Sequence, residues 1–145
     1  LYHYAQRPDK SSSTLRNILA KAYSTARNGL PDNEDMGCHS AFYICGMIGL
    51  YPMMGQDWYF LTAPAFARTE VSLGEGRQKL IIEAPNASTT HIYIAAATLN
   101  GKALNRAWIQ HQEISNGAHI IFELVTAPTN WGQDIPPPSP LARSE

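Results

Sequence analysis

The sequence predicts an α+β chain in which two helices come first and an antiparallel β-sheet, or half a sandwich, follows. Three observations carry this expectation. Apolar residues recur at helical spacing between residues 15 and 23, and the stretch 37–50 is apolar on every face. After Asp57 the pattern changes to short β-branched and aromatic runs parted by Asn-Gly turns.

The elements follow in chain order. Ser11-Ser12-Ser13-Thr14 offers N-caps. Leu15, Ile18, Leu19, Ala22 and Tyr23 then share a helical face, with Arg16, Asn17 and Lys21 on the others. This predicts a helix over 12–27, ended by Asn28-Gly29 and Pro31. The second helix, 37–50, has no polar stripe, since Ala41, Phe42, Tyr43, Ile44, Met47, Ile48 and Leu50 surround it. A helix of that kind is buried in a larger helical assembly, and one partner helix cannot bury it. The missing walls are expected from chain beyond these residues. The start at Leu-Tyr-His-Tyr, with neither Met nor a signal-peptide pattern, is read in the same way, as a cut in a longer protein.

Strands are expected over 70–73, 79–83 and 91–99. Asn100-Gly101 predicts a type I′ hairpin into a strand over 103–109, and Ser115-Asn116-Gly117 a turn before a strand over 119–124. The chain thus divides into helices (1–56), a β segment (57–132) and an extended Pro-rich tail expected to be disordered (133–145).

Composition narrows the partners. A net charge of -1 excludes nucleic acid as the main partner, because phosphate binding needs a basic surface. No apolar run is long enough for a membrane span. Charged residues make up 16% of the chain, below the roughly 25% of a typical soluble domain, so much of its surface is expected to be covered. Cys38 and Cys45 lie seven residues apart in the second helix, a rise of about 10.5 Å. A disulfide needs Cα atoms within about 7 Å, so the two are expected to be unpaired small core residues. Asn86-Ala87-Ser88 is an N-glycosylation acceptor triplet in a secretory context.

The residues that ask for a function are in "GLPDNEDMGCHSAFY", 29–43, where Asp32, Asn33, Glu34 and Asp35 crowd the mouth of the apolar helix. Charge beside a buried element is costly unless it has a partner, a metal or a task. An EF-hand loop is excluded, because neither register places Asp, Asn, Gly and Glu at the required positions. Two readings stay open. In one, these residues are no more than caps that favour the positive end of the helix. Alternatively Asp35, nearest the helix start, is a general base activating water, with Asn33 orienting the water or the base. Inverting glycoside hydrolysis needs such a base facing an acid about 6.5–9.5 Å away, and no second carboxyl of the chain claims that place. His39, one turn on, is placed to hydrogen-bond Asp35 or to serve as a core or interface histidine. Trp108 reads as packing or a sugar-stacking platform, Trp58 and Tyr59 as core. His111 and Glu113 lie near a turn with no evident ligand.

"GLPDNEDMGCHSAFYICGMIGLYPM" resembles the signature of glycoside hydrolase family 92, the calcium-dependent exo-α-mannosidases. "LYHYAQRPDKSSSTLRNIL", "LNGKALNRAWIQHQEISNGAHIIFEL" and the closing "PTNWG" resemble further stretches of the same family, collinearly over residues 1 to 132. The resemblance implies an (α/α)6 catalytic barrel whose last helices are 12–27 and 37–50, with the β segment following it. By position, Asp35 corresponds to the inverting general base and Asn33 to the residue holding the nucleophilic water. Glu34 and His39 are expected to contact substrate. The implied cofactor is calcium, with its ligands and the general acid mostly upstream of this chain. The implied partners are that upstream part of the same protein and mannose-containing glycans, α-1,2 linkages among the expected substrates. A secreted, periplasmic or cell-surface location is expected, and the chain alone is expected to be inactive.

The sequence departs from the family pattern at several positions. Asp32 replaces a usual Gly at a turn expected to need φ > 0. Cys38-His39, Phe42, His3 and Asp9 also replace commoner residues, and each is expected to perturb substrate contacts. Two rival readings remain. In one, 57–132 is an autonomous β-rich module that binds carbohydrate or protein, marked by exposed Trp58 and Trp108. In the other, the chain is an inactive remnant.

Overall fold

The computed structural model describes residues 1–139. Its class is α+β, as expected. Helices α1 (Pro8–Ala22) and α2 (Cys38–Ile48) precede eight strands: β1 (Leu50–Pro52), β2 (Trp58–Leu61), β3 (Arg68–Leu73), β4 (Gln78–Glu83), β5 (Tyr93–Leu99), β6 (Lys102–Ala103), β7 (Trp108–Gln110) and β8 (Ala118–Val125).

Both helices differ from their expected bounds for local reasons. α1 begins four residues before 12, because Pro8 at its first position has a φ already suited to a helix. Asp9 follows in the first turn, favoured by the helix dipole and paired with Arg7 at 2.7 Å. The serines expected to cap the helix lie inside it and bond elsewhere. Ser12 Oγ accepts the Ala63 N–H at 3.1 Å, and Ser11 Oγ meets His3 Nδ1 at 2.7 Å. The helix stops at Ala22, not 27, because Tyr23 is extended (φ -121°, ψ 142°) and the chain then doubles back. Ser24 N–H donates to the Gly29 carbonyl, and a Cβ on Gly29 would lie 2.1 Å from Ser24 O. α2 is bracketed by two left-handed glycines, Gly37 (φ 78°) and Gly49 (φ 79°).

The strands form a three-stranded antiparallel sheet, β1-β2-β7, and a five-stranded sheet, β3-β4-β8-β5-β6. The second is mixed, not wholly antiparallel: β8 runs parallel to β4, with Leu80 opposite Ala118 and Glu83 opposite Ile121. The chain leaves this sheet through β7 before it returns as β8, and such a crossover allows a parallel neighbour. Asn100 (φ 51°) and Gly101 (φ 77°) both adopt the left-handed backbone that a type I′ turn requires. The single strand expected over 103–109 splits in two. Leu104 turns into the core, its carbonyl taken by Trp131 Nε1 at 2.8 Å, and the chain crosses to the other sheet as β7.

One apolar core serves both sheets, with Leu50, Leu61, Ile82, Ile94, Ile109 and Phe122 at its centre. β8 shows the period-two pattern plainly: Ala118, Ile120, Phe122 and Leu124 are buried and the residues between them are not. α1 and α2 touch at Gly46, where a Cβ would come within 2.9 Å of Leu19 Cδ1. Gly46 is also the buried residue of α2; Ala41 and Ile44 face outward, Ile44 at 58% exposure.

Cys38 and Cys45 are unpaired, but Cys38 is exposed and so is not a core residue. Residues 133–139 of the expected tail lie against the molecule. Trp108 Nε1 donates to the Ile135 carbonyl at 3.2 Å, and the Tyr4 hydroxyl to the Pro138 carbonyl at 3.4 Å. The remainder of that tail, 140–145, lies outside the described residues.

Candidate functional site

The acidic cluster sits in the connection between the helices. Asp35–Gly37 form a single 3₁₀ turn ahead of α2, and Met36 within it has φ 53°. Asp32, expected to carry a positive φ, does not; the left-handed positions are Met36 and Gly37. The turn moves the acids relative to the helix end. Glu34 Oε1 accepts the Ser40 N–H at 3.1 Å, so it satisfies one of the first-turn donors of α2. Asp32 Oδ1 accepts the Asn33 N–H at 2.8 Å. Asn33 in turn accepts the Asp35 N–H through its carbonyl at 3.1 Å.

Asp35 is exposed, and among the described residues its carboxylate has no hydrogen-bond or ion-pair partner. The Asn33 side-chain amide is likewise unengaged. The two residues predicted as base and water holder are therefore adjacent, open and backbone-linked, while Asp32 and Glu34 are partly occupied.

His39 does not bond Asp35. Its Nδ1 lies 3.3 Å from the Tyr23 hydroxyl, and its ring packs edge-on to Tyr23 at 6.3 Å. Burial, then the nearby Glu34 carboxylate, push the Tyr23 hydroxyl up, so it stays a proton donor. Tyr23 also stacks on Phe42 (6.3 Å, 16°) and tilts against Tyr43 (5.1 Å). Phe42, one of the departures, thus packs on the same Tyr23 ring that meets His39. Ser40, whose N–H holds Glu34, lines a cleft of about 340 Å³ with Tyr23, Leu30, Tyr43 and Ile44. Tyr23 entered the sequence reading only as an apolar helix residue; the break after Ala22 is what turns it toward His39.

Two other departures are structural. His3 is 6% exposed, its Nε2 3.0 Å from the Leu61 carbonyl and its ring 4.4 Å from Phe60. Burial pushes it down to about 4, against the opposing hydrogen bond to Leu61. Asp9 is buried under a two-pronged pairing with Arg7, which holds its carboxyl below the usual range. These residues tie the first segment to β2 and α1.

Trp58 is 2% exposed. The guanidinium of Arg106 lies 4.7 Å over the Trp108 ring, and Ile135 takes its N–H. Trp58 is not exposed and one face of Trp108 is taken by Arg106, which weighs against the carbohydrate-module reading. His111 Nδ1 pairs with the Tyr59 hydroxyl at 2.8 Å, and Glu113 pairs with Arg106 and caps its own turn through Gln110 N–H. Among the described residues there is no group of three or more His, Cys, Asp or Glu placed to hold a metal. Calcium takes six to eight oxygen ligands, which the partly occupied acids of this turn do not supply.

The model of the glycosyl hydrolase family 92 catalytic domain matches residues 1–126. The chain belongs to glycosyl hydrolase family 92. An uncharacterized secreted glycosidase of Arthroderma benhamiae is 32% identical to this family 92 chain over 142 residues, covering 94% of it and 18% of the relative. The solved structure of a family 92 α-mannosidase from Bacteroides thetaiotaomicron, in complex with mannoimidazole, superposes with a TM-score of 0.89. It shares 25% identity and matches 96% of this chain and 19% of that one. A family 92 inverting mannosidase from the same bacterium gives 0.83 at 29% identity, over 92% of this chain and 18% of that one. The family 92 chain therefore spans about a fifth of the length of the relatives it matches.

Proposed function

We propose that this chain is the C-terminal part of an inverting, calcium-dependent exo-α-mannosidase that removes terminal mannose, α-1,2-linked mannose included, from glycans. The observation that carries the reading is the state of the acidic turn. Of its three carboxylates, Asp35 alone is without a partner among the described residues, and Asn33, whose amide is also unengaged, is joined to it by the backbone bond from Asp35 N–H to the Asn33 carbonyl. In this reading, water is held by Asn33 and attacks the anomeric carbon of the terminal mannoside. Asp35 takes the water proton while an acid outside this chain protonates the departing oxygen, so configuration inverts. In the same reading, Glu34 ahead of α2 and His39 in its first turn contact the sugar through the atoms that the Ser40 N–H and the Tyr23 hydroxyl leave open. Calcium is held by residues outside this chain, and no proton step assigned to Asp35 passes through it. The family likeness, and the mannosidase activity in the names of the solved relatives, support the substrate class.

The exposed apolar side of α2 at Ile44 supports the remaining architecture, in which α1 and α2 close an (α/α)6 barrel whose other helices lie upstream. No helix among the described residues is long and apolar enough to cross a membrane. A secreted, periplasmic or cell-surface location is proposed from the secreted relative. The test is mannose release by the 145-residue chain and by the longer protein, with and without Asp35→Asn. The chain alone is expected to be inactive, and the substitution is expected to lower kcat in the longer protein by about 10²–10⁴ with an unchanged melting temperature. Activity of the isolated chain, or indifference to Asp35→Asn, would overturn the assignment.

A further inference from the structure

A cavity of about 550 Å³ lies between α1, α2 and the loop joining β4 to β5. Ser13, Arg16, Asn17, Tyr43, Ser88 and Thr89 contribute its polar wall. Arg16 is half-buried in that wall, and one of its nitrogens, Nη2, donates to the Ser88 carbonyl at 2.9 Å. Among the described residues no carboxylate pairs with it. Arg7, Arg68, Arg77 and Arg106 each pair with an acidic side chain. Burial pulls the Arg16 guanidinium down from its usual value, whereas the pairing of Arg7 and Arg68 pushes theirs up.

A half-buried cation without a counter-ion is a cost that folding must carry. Arg16 has five N–H donors, of which the Ser88 carbonyl engages one nitrogen, so a planar fork of donors remains for an acceptor. The wall around it is preformed. Ser88 Oγ accepts the Thr90 and His91 N–H groups at 3.3 and 3.0 Å and meets His91 Nδ1 at 2.9 Å, which fixes the loop that presents Ser88 and Thr89. The volume falls within the range that small-molecule sites occupy.

We propose that this cavity is a carboxylate-binding site, with Arg16 gripping both oxygens and the hydroxyl of Thr89 and the amide of Asn17 beside it, while the Ser13 hydroxyl stays on the Lys10 carbonyl. A bidentate carboxylate is the ligand that supplies the missing charge and matches the fork of the guanidinium. The carboxylate belongs either to a diffusible acid or to an acidic side chain of the upstream part of the same protein. The site does not depend on Asp35 or on the hydrolytic reading.

The experiment is titration of the ¹⁵N-labelled chain with sodium acetate, against sodium chloride at matched ionic strength. Saturable shifts are expected at the amides of Ser13, Asn17, Ser88 and Thr89, with half-saturation on the order of 10 mM. Arg16→Gln is expected to abolish saturation. Arg16→Lys, which keeps the charge and loses the fork, is expected to weaken binding about tenfold and decides the matter if the Gln variant does not fold. Linear shifts, shifts equal in chloride, or affinity unchanged in Arg16→Lys would overturn the site and leave Arg16 as a clip on Ser88. In the longer protein, phenylglyoxal modification separates the two sources. Arg16 that reacts and is protected by acetate indicates a diffusible acid, and Arg16 that is shielded without acetate indicates an internal carboxylate. Arg16 that reacts at the same rate with and without acetate would overturn both.

Discussion

Glu34 Oε1 accepts the Ser40 N–H at 3.1 Å across the left-handed Gly37, so the acid that caps α2 is Glu34 and not Asp35. Removing this cap by Glu34→Ala is expected to lower the stability of the chain by about 1 kcal/mol, within the range measured for side-chain caps. Asp35→Asn is expected to leave stability unchanged, since its carboxylate holds nothing among the described residues. Urea unfolding of the two variants checks both; equal losses would mean that the two acids share the helix end.

His3 gives the chain a pH-dependent stability with a defined sign. The folded ring is held down at about 4 by burial, while the unfolded chain binds its proton near the ordinary histidine value of 6.5. The stabilisation of the neutral, buried ring is therefore full above pH 6.5. It falls as the pH drops through 6.5 toward 4, by on the order of 3 kcal/mol in all. Below 4 both states are protonated and this contribution levels off. His3→Gln is expected to flatten the fall between pH 6.5 and 4, read as urea midpoints against the unsubstituted chain.

Two glycines with similar backbone angles should respond unequally to Ala. Gly49 (φ 79°) would place a Cβ 2.5 Å from the Thr62 carbonyl, a backbone atom that cannot swing away. Gly55 (φ 72°) has nothing within 4 Å. Gly55→Ala is expected to cost about 1 kcal/mol for the left-handed backbone alone, and Gly49→Ala at least about 3 kcal/mol. Thermal melts of both variants test the order.

Arg106 and Glu113 are each about three-quarters covered and pair through both carboxylate oxygens, with the guanidinium also over Trp108. A double-mutant cycle of Arg106→Ala and Glu113→Ala is expected to give a coupling of about 1 kcal/mol. Arg106→Ala should also shift Trp108 fluorescence, which Glu113→Gln should do less. Coupling indistinguishable from zero would assign the pair to the surface.

Ile44 tests the proposed placement of this chain within a longer protein. At 58% exposure, Ile44→Asp is expected to change the stability of the 145-residue chain by less than about 0.5 kcal/mol. In the longer protein the same substitution is expected to cost more than about 2 kcal/mol, because upstream helices would cover that face. Urea midpoints in the two contexts give the comparison, and equal small effects would remove the barrel from the proposed architecture.

Local pattern carried much of this molecule. The period of β8, the Asn100-Gly101 turn and the unpaired cysteines follow from side-chain alternation, backbone preference and reach, which a sequence displays directly. The motif around Asp35 also identified the family before any fold was known. Helix ends were less legible. The serines at 11–13 look like caps, but Pro8 begins the helix earlier and the fold recruits Ser11 and Ser12 for His3 and Ala63. Only the tertiary structure decided that β8 lies parallel to β4, that Glu34 and not Asp35 caps α2, that Tyr23 reaches His39, and that Arg16 stands half-buried without an acid. All but the Glu34 cap, which reaches six residues along the chain, depend on which residues far apart in the chain are brought together. Hydrophobic period specifies the face a residue takes, but not the partner it meets there.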